Sequence, residues 1–186
     1  MTIPPDSPPS LDILDESSID AALDANIRQG LYRSFPDAAA AFAEGRGWHG
    51  SRPAYSVVLR LGAEVIAHVG IVDRQIRAGA TPLRVAGVMN VFVIPSCRGG
   101  RLAARVVHAA MEEATRRLMD FGLLFSIGQL VPLYTRMGWQ DLPGRGVIRI
   151  EGGAELPLPE GNLPMLYPLR RAEFPPGPIH LQGNDW

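Results

Sequence analysis

The sequence predicts an α+β fold: a mixed, mostly antiparallel central sheet with helices on its faces. Three observations predict it. Long apolar, strand-like runs crowd the middle of the chain at 55–62, 64–79 and 82–95. A helical pattern over 100–120 follows, with Ala103, Val107, Ala110, Ala114 and Leu118 at i+3/i+4 spacing and Arg105, Glu112 and Arg116 on the other face. The last 45 residues are rich in Gly and Pro and hold only short strand-like pieces.

At 186 residues the chain is long enough for one full core and short for two. We therefore expect a flexible Pro-rich tail over residues 1–10, with Pro4, Pro5, Pro8 and Pro9, and a single domain over 11–186. Leu11 to Leu14 read as a short strand. From there Ser17 or Ser18 is placed to cap a helix carrying Ile19, Ala22, Ile27 and Leu31 near helical spacing. Pro36 interrupts it, and a second helix is expected from Asp37 to Gly45. Gly62-Ala63 is a turn between two strands, which makes 55–79 a hairpin. The strand at 82–95 and the helix at 100–120 come next, the helix stopped by Gly122. A buried strand at 123–128, a short helix at 129–139 ended by Gly138, and strands at 146–150 and 163–169 complete the reading.

Composition excludes several classes. Hydrophobic residues make up 46% and charged residues 20%, values of a soluble globular protein. No apolar run reaches the roughly 18–20 residues of a membrane span, and residues 1–10 have no signal-peptide pattern. Cys97 is the sole cysteine, so no internal disulfide forms; together these favour the cytoplasm and no membrane partner. A net charge of −1 argues against nucleic acid. His49, His68, His108 and His180 are scattered, and no metal site is expected. All 18 basic residues are arginine, which compositional bias explains better than phosphate recognition does.

The stretch VFVIPSCRGGRLAARVV, residues 91–107, carries the most chemistry. A strand meets a proline, turns through Arg98, Gly99, Gly100 and Arg101, and opens a helix. A helix start leaves backbone N–H groups unpaired and partly positive, the glycines allow close approach, and the arginines add donors. This is a site for a diphosphate or similar anion. It is neither a dinucleotide fingerprint nor a Walker loop.

About 30 residues later, PLYTRMGW (132–139) follows a short strand. Strand, R-G-G turn, long helix, strand and short helix with Leu-Tyr-x-x-x-Gly-Trp resemble the GNAT superfamily of N-acetyltransferases over residues 53–140. The resemblance implies a sheet splayed beside Val91, Phe92 and Val93 for the pantetheine arm of acetyl-CoA or another acyl-CoA. It places Arg98, Gly99, Gly100, Arg101, Leu102 and Ala103 at the diphosphate. Arg101 stands where the superfamily's turn usually has its central glycine. Segments 45–53, 65–79 and the tail FPPGPIHLQGNDW resemble rhizobial nodulation N-acyltransferases, which move a fatty acyl chain from acyl carrier protein to a chitin-oligosaccharide amine. The His68 strand, Arg101 and the final Asp185-Trp186 also resemble aminoglycoside 2'-N-acetyltransferases. Both groups acylate the amine of an amino sugar, so the resemblance implies a small amine acceptor of that kind. Pairing through the C-terminal strands, hence a homodimer, is also implied.

Amine acylation needs a neutral nitrogen, a polarised thioester and a protonated leaving thiolate. By the resemblance Tyr134 is the acid, and the Val91 N–H polarises the carbonyl. The aminoglycoside enzymes place a glutamate where this chain has Met89, so the base lies elsewhere. His68 is taken as that base, with Asp73, His180, Asp185 and the Trp186 carboxylate as alternatives. Asn90, Asp185 and Trp186 are taken as substrate-binding, although Asn90 equally suits a bond within the sheet. A covalent route through Cys97 beside Arg98 lacks a convincing His–Asp partnership. Two function classes remain open: an acyl-CoA-dependent N-acyltransferase, with acyl carrier protein as the alternative donor, and a module that binds acyl-CoA without turnover. Met89 favours the module and Tyr134 the enzyme; Arg105, Arg116 and Arg117 are the possible carrier-protein docking residues.

Overall fold

The runs Tyr55–Leu59 and Val65–Ile71 are apolar but for Ser56 and His68, and both segments are buried strands in the computed structural model, which describes residues 8–43 and 45–186. The expected tail lies outside the described residues as far as residue 7; strand β1 begins at Ser10. The strands are β1 (Ser10–Asp15), β2 (Tyr55–Leu61), β3 (Glu64–Ala78), β4 (Thr81–Val93), β5 (Phe121–Ile127), β6 (Gln140–Asp141), β7 (Val147–Glu151), β8 (Ala154–Pro157), β9 (Asn162–Pro168) and β10 (Ile179–His180). The helices are α1 (Ala21–Ser34), α2 (Leu102–Arg116) and α3 (Val131–Arg136). The chain packs as two compact units, with β3, β4 and α2 contributing to both. The fold class is the α+β class expected. No helix among the described residues is long and apolar enough to cross a membrane.

The first unit holds the described residues up to Gly47, then Pro53–Ile71 and Asn90–Ala110. β1 pairs antiparallel with β2 from Ser10↔Arg60 to Asp15↔Tyr55, and β2 pairs with β3 across the Gly62-Ala63 turn. Ile94 N–H donates to Ile66 O, so alternation along β4 turns the Val91 and Val93 N–H groups away from β3. The cap of α1 is Asp20, whose carboxylate accepts from Leu23 N–H at 2.8 Å. This corrects Ser17 and Ser18, which belong to a 3₁₀ turn over Glu16–Ser18. α1 buries Ile27, Gly30 and Leu31 and stops just before Pro36. The second helix is a 3₁₀ segment over Pro36–Phe42 rather than an α-helix, since its alanine run buries only Phe42 and offers little packing to stabilise a longer element.

The second unit holds Trp48–Arg52, Val72–Met89 and Met111–Trp186, with strand order β6-β9-β5-β4-β3-β10-β7-β8. Its core includes Ile76, Leu83, Val85, Phe121, Leu123, Leu166, Ile179 and Trp186. α2 ends earlier than expected. Leu118 takes a left-handed φ of 62° and Met119 N–H reaches back to Ala114 O at 3.0 Å, closing the helix without Gly122. Gly122 lies instead within β5, where a Cβ would meet Met111 and Trp139.

Candidate active site

In the first unit, β4 leads through a 3₁₀ turn over Pro95–Cys97 to the exposed residues Arg98, Gly99, Gly100 and Arg101. Gly99 has φ of 93°, and Arg101 holds the left-handed region at 57°, which an L side chain rarely adopts. The first intrahelical bond of α2 runs from Arg105 N–H to Arg101 O at 3.0 Å. The N–H groups of Leu102, Ala103 and Ala104 therefore have no partner inside the helix. No heavy atom lies within 4 Å of a Cβ built on Gly99, and one on Gly100 would meet only Leu102 at 3.7 Å. The loop surface is thus open. Arg98 folds back, its Nε donating to Val93 O at 3.2 Å. Val91, Val93, Leu102 and Ala103 are half-buried.

Phe92, expected with the donor-binding residues, points the other way. It is buried, and a Cβ on Gly30 would run into its ring. Its ring stacks on His68 at 5.5 Å between centroids. The alternation that frees Val91 and Val93 turns the Phe92 N–H toward β3, so neither its ring nor its N–H is offered to a ligand.

His68 does not suit a base. It is fully buried, and Asn90 O, which only accepts, fixes the proton on Nδ1 at 2.9 Å. Nε2 then accepts from the Ser56 hydroxyl at 3.1 Å. Burial pushes its pKa down to about 3, so the ring is neutral and both nitrogens are occupied. Asn90, at φ of 54°, is also committed to the fold, its Nδ2 donating to Arg46 O at 2.7 Å. The buried Arg46 guanidinium in turn bonds Asp24 Oδ1 at 2.6 Å, Glu16 and Ser56. Burial raises the Glu16 pKa although Arg46 opposes it. For Asp24 burial is outweighed by hydrogen bonds from Arg46 and Arg28, and the pKa falls. These groups join β2, β3, β4 and α1 into one polar core.

In the second unit, the parallel β4–β5 ladder has three rungs, from Val85↔Phe121 to Gly87↔Leu123. Both strands continue beyond that last rung: β4 through Val88 and Met89 within this unit, β5 to Ile127. Here is the opening in the sheet. Tyr134 is buried on α3 with its ring edge-on to Trp139 at 6.1 Å. Burial pushes its pKa up to about 12, so the phenol keeps its proton throughout the physiological range. Met89 is buried in the core cluster and offers no proton acceptor.

The segment at 184–186 is folded in. The Trp186 indole is buried, donates from Nε1 to Leu123 O at 3.3 Å, and covers Gly87 so closely that no Cβ would fit there. Arg74 lies over the same ring at 5.1 Å. Asp185 is buried and pairs with His49 Nδ1 at 2.8 Å, with Arg149 at 3.5 Å from the same oxygen. Asp185 thus faces protein groups, which differs from a carboxylate held open for substrate. His49, Arg149, Arg74 and Arg46 were not read from the sequence as site residues. The His49–Asp185 pair spans 136 positions, so no local spacing reveals it. Among the described residues no histidine or carboxylate lies within bonding distance of Cys97, whose sulfur meets the Ser96 hydroxyl at 3.9 Å.

The family model described as Nodulation protein A matches residues 12–144 of this chain. No curated protein matches it by sequence. Among solved structures, it is similar to Escherichia coli ElaA at 14% identity and TM-score 0.62, covering 86% of this chain and 99% of that one. It is similar to the E. coli GNAT family N-acetyltransferase YhbS, solved in complex with CoA, at 17% identity and TM-score 0.63, covering 95% and 92%. A GNAT family acetyltransferase from Brucella melitensis, solved in complex with acetyl-CoA, aligns at 14% identity and TM-score 0.59, covering 91% and 94%. The fold shared with these structures is the GNAT fold.

Proposed function

The chain belongs to the nodulation protein A family and is an acyltransferase of GNAT fold, and from that premise we propose that it moves an acyl group from acyl-CoA to the primary amine of an amino sugar or similar small molecule. The observation that carries the donor is the open Arg98–Arg101 turn at the head of the 15-residue α2, with three backbone N–H groups free of the helix. An anion of diphosphate size fits that chemistry: unpaired N–H groups, two exposed guanidinium side chains and no Cβ at Gly99 or Gly100. The residues that would hold acyl-CoA are therefore Arg98 to Ala103 at the phosphates, and the outward N–H groups of Val91 and Val93 at the arm. The thioester brings an activated acyl carbon and a good leaving group. Two of the aligned GNAT structures hold CoA or acetyl-CoA, which supports this donor.

Tyr134 is the proposed acid. A phenol with a pKa pushed to about 12 stays protonated and donates to a departing thiolate. The Val91 N–H is the proposed donor to the acyl carbonyl. The amino-sugar acceptor rests on the family and on no group of this chain. The nodulation match keeps acyl carrier protein as a second donor reading. Its proposed docking arginines are less available than the sequence suggests, because Arg116 and Arg117 both pair with Glu113 at 2.8 and 2.7 Å.

The test is thiol release from acetyl-CoA with glucosamine as acceptor, for the wild type and Tyr134→Phe. We expect turnover in the wild type and a fall of roughly 10²–10⁴-fold in kcat for the variant, with acetyl-CoA affinity unchanged. Equal turnover in the two proteins would remove Tyr134 from the mechanism.

A further inference from the structure

With His68 and Met89 unable to take a proton, the second unit offers a different group. Trp48 and Ser51 exchange backbone bonds at 3.1 and 2.8 Å, closing a two-residue turn at His49 and Gly50. Both turn residues have positive φ, 46° and 81°, the pattern of a type I′ turn. The turn sets the His49 ring against Trp48, tilted at 5.1 Å between centroids.

The ring is 37% exposed while its partner Asp185 is 3% exposed, a buried carboxylate behind an accessible imidazole. Asp185 is fixed from several sides. Its backbone N–H donates to Asn184 Oδ1 at 3.0 Å, and its backbone carbonyl accepts from the Ser51 hydroxyl at 2.7 Å. Arg149 approaches its carboxylate at 3.5 Å while also holding Glu151 at 2.8 Å and Asn184 Oδ1 at 2.9 Å. Arg74 bonds Ser51 Oγ at 2.9 Å and the Asn184 carbonyl. A carboxylate acceptor at Nδ1 fixes the tautomer, so the proton sits on Nδ1 and Nε2 carries the lone pair. Among the described residues Nε2 has no hydrogen-bond partner.

The pair also lies at the sheet opening. The next residue, Trp186, bonds Leu123 and covers Gly87, the two residues of the last β4–β5 rung. We propose that His49 is the general base of the acyl transfer and that Asp185 is its positioning residue. This rests on the acyltransfer reading above. As the amine nitrogen bonds the acyl carbon and the carbon–sulfur bond breaks, the amine's proton passes to His49 Nε2. The sulfur takes the proton that Tyr134 gives up, and solvent returns His49 and Tyr134 to their starting states. The charged groups around the imidazole are Asp185 against Nδ1, with Arg149, Glu151 and Arg74 behind it.

The test compares the wild type, His49→Asn and Asp185→Asn. Asparagine tolerates the left-handed φ of the turn, so His49→Asn keeps the fold. The probes are acetyl-CoA binding by calorimetry, kcat and KM against pH with glucosamine, and ¹⁵N NMR of the His49 imidazole tautomer. The expected result is acetyl-CoA affinity within about twofold in all three proteins and a loss of roughly 10²-fold or more in kcat for His49→Asn. The acid limb of the wild-type kcat profile disappears in that variant. In Asp185→Asn kcat falls while KM holds, and the His49 ring loses the fixed Nδ1–H tautomer in its ¹⁵N spectrum, since the carboxylate acceptor is gone. A His49→Asn enzyme with wild-type kcat and an intact limb overturns the base. A tautomer signature unchanged by Asp185→Asn overturns the pairing whatever the acceptor. A wild type that neither binds acetyl-CoA nor releases its thiol overturns the acyltransfer reading instead, and this inference with it.

Discussion

His68 shows how burial converts a plausible base into a structural link. Its two nitrogens join Asn90 on β4 to Ser56 on β2, with the ring stacked on Phe92. The sequence placed it correctly in an apolar strand, a setting that suits a core histidine and a catalytic one equally; the partners that decide the matter lie 12 and 22 positions away. Its depressed pKa has a consequence for stability. The unfolded chain protonates this histidine near its ordinary value of about 6.5, while the folded protein resists until about 3. The contribution is fully present above pH 6.5 and is lost as pH falls toward 3, by at most about 1.4 kcal/mol per pH unit. Thermal melts of the wild type and His68→Gln should therefore differ most near pH 7–8 and converge on acidification. A gap that stays constant from pH 7.5 to pH 4.5 would show that His68 is protonated in the fold.

Between elements, the contact of α1 with β4 depends on one missing side chain. Gly30 faces the Phe92 ring so closely that a Cβ would overlap it. The ring cannot retreat, because it is buried and stacked on His68. Gly30→Ala gains about 1 kcal/mol of helix propensity and loses about 1–3 kcal/mol to overpacking. The clash should win, since the ring fixes its own position. Urea denaturation is expected to give a lower midpoint with an unchanged slope; a higher midpoint would mean that α1 shifts to admit the methyl group. The sequence showed a glycine inside a helical pattern, and only the packing of Phe92 gives its reason. The same limit explains the cap of α1: Ser17, Ser18 and Asp20 all suit an N-cap, and the 3₁₀ turn at Glu16–Ser18 selects Asp20. Strands β6, β8 and β10 escaped the sequence reading because four residues or fewer carry no period.

For the molecule as a whole, the legible parts are those whose signal is local. The order of long strands, R-G-G turn, helix and Tyr-x-x-x-Gly-Trp segment sits within residues 53–140, and it led to the fold that the aligned structures share. What stayed hidden was built by distant contacts: Arg46 gathers Glu16, Asp24 and Ser56, and Asp185 meets His49. The central claim is that the open turn at the head of α2 receives the phosphates of an acyl-CoA donor. Calorimetric titration of acetyl-CoA into the wild type and an Arg98→Ala/Arg101→Ala double variant tests it most directly. Arg101→Ala leaves an L residue at the same positive φ, so the loop loses its donors while its strain is unchanged. The account predicts micromolar binding by the wild type, weakened at least about tenfold in the double variant, as two charge-assisted contacts imply. Absence of binding by the wild type, or equal binding by both proteins, would contradict it.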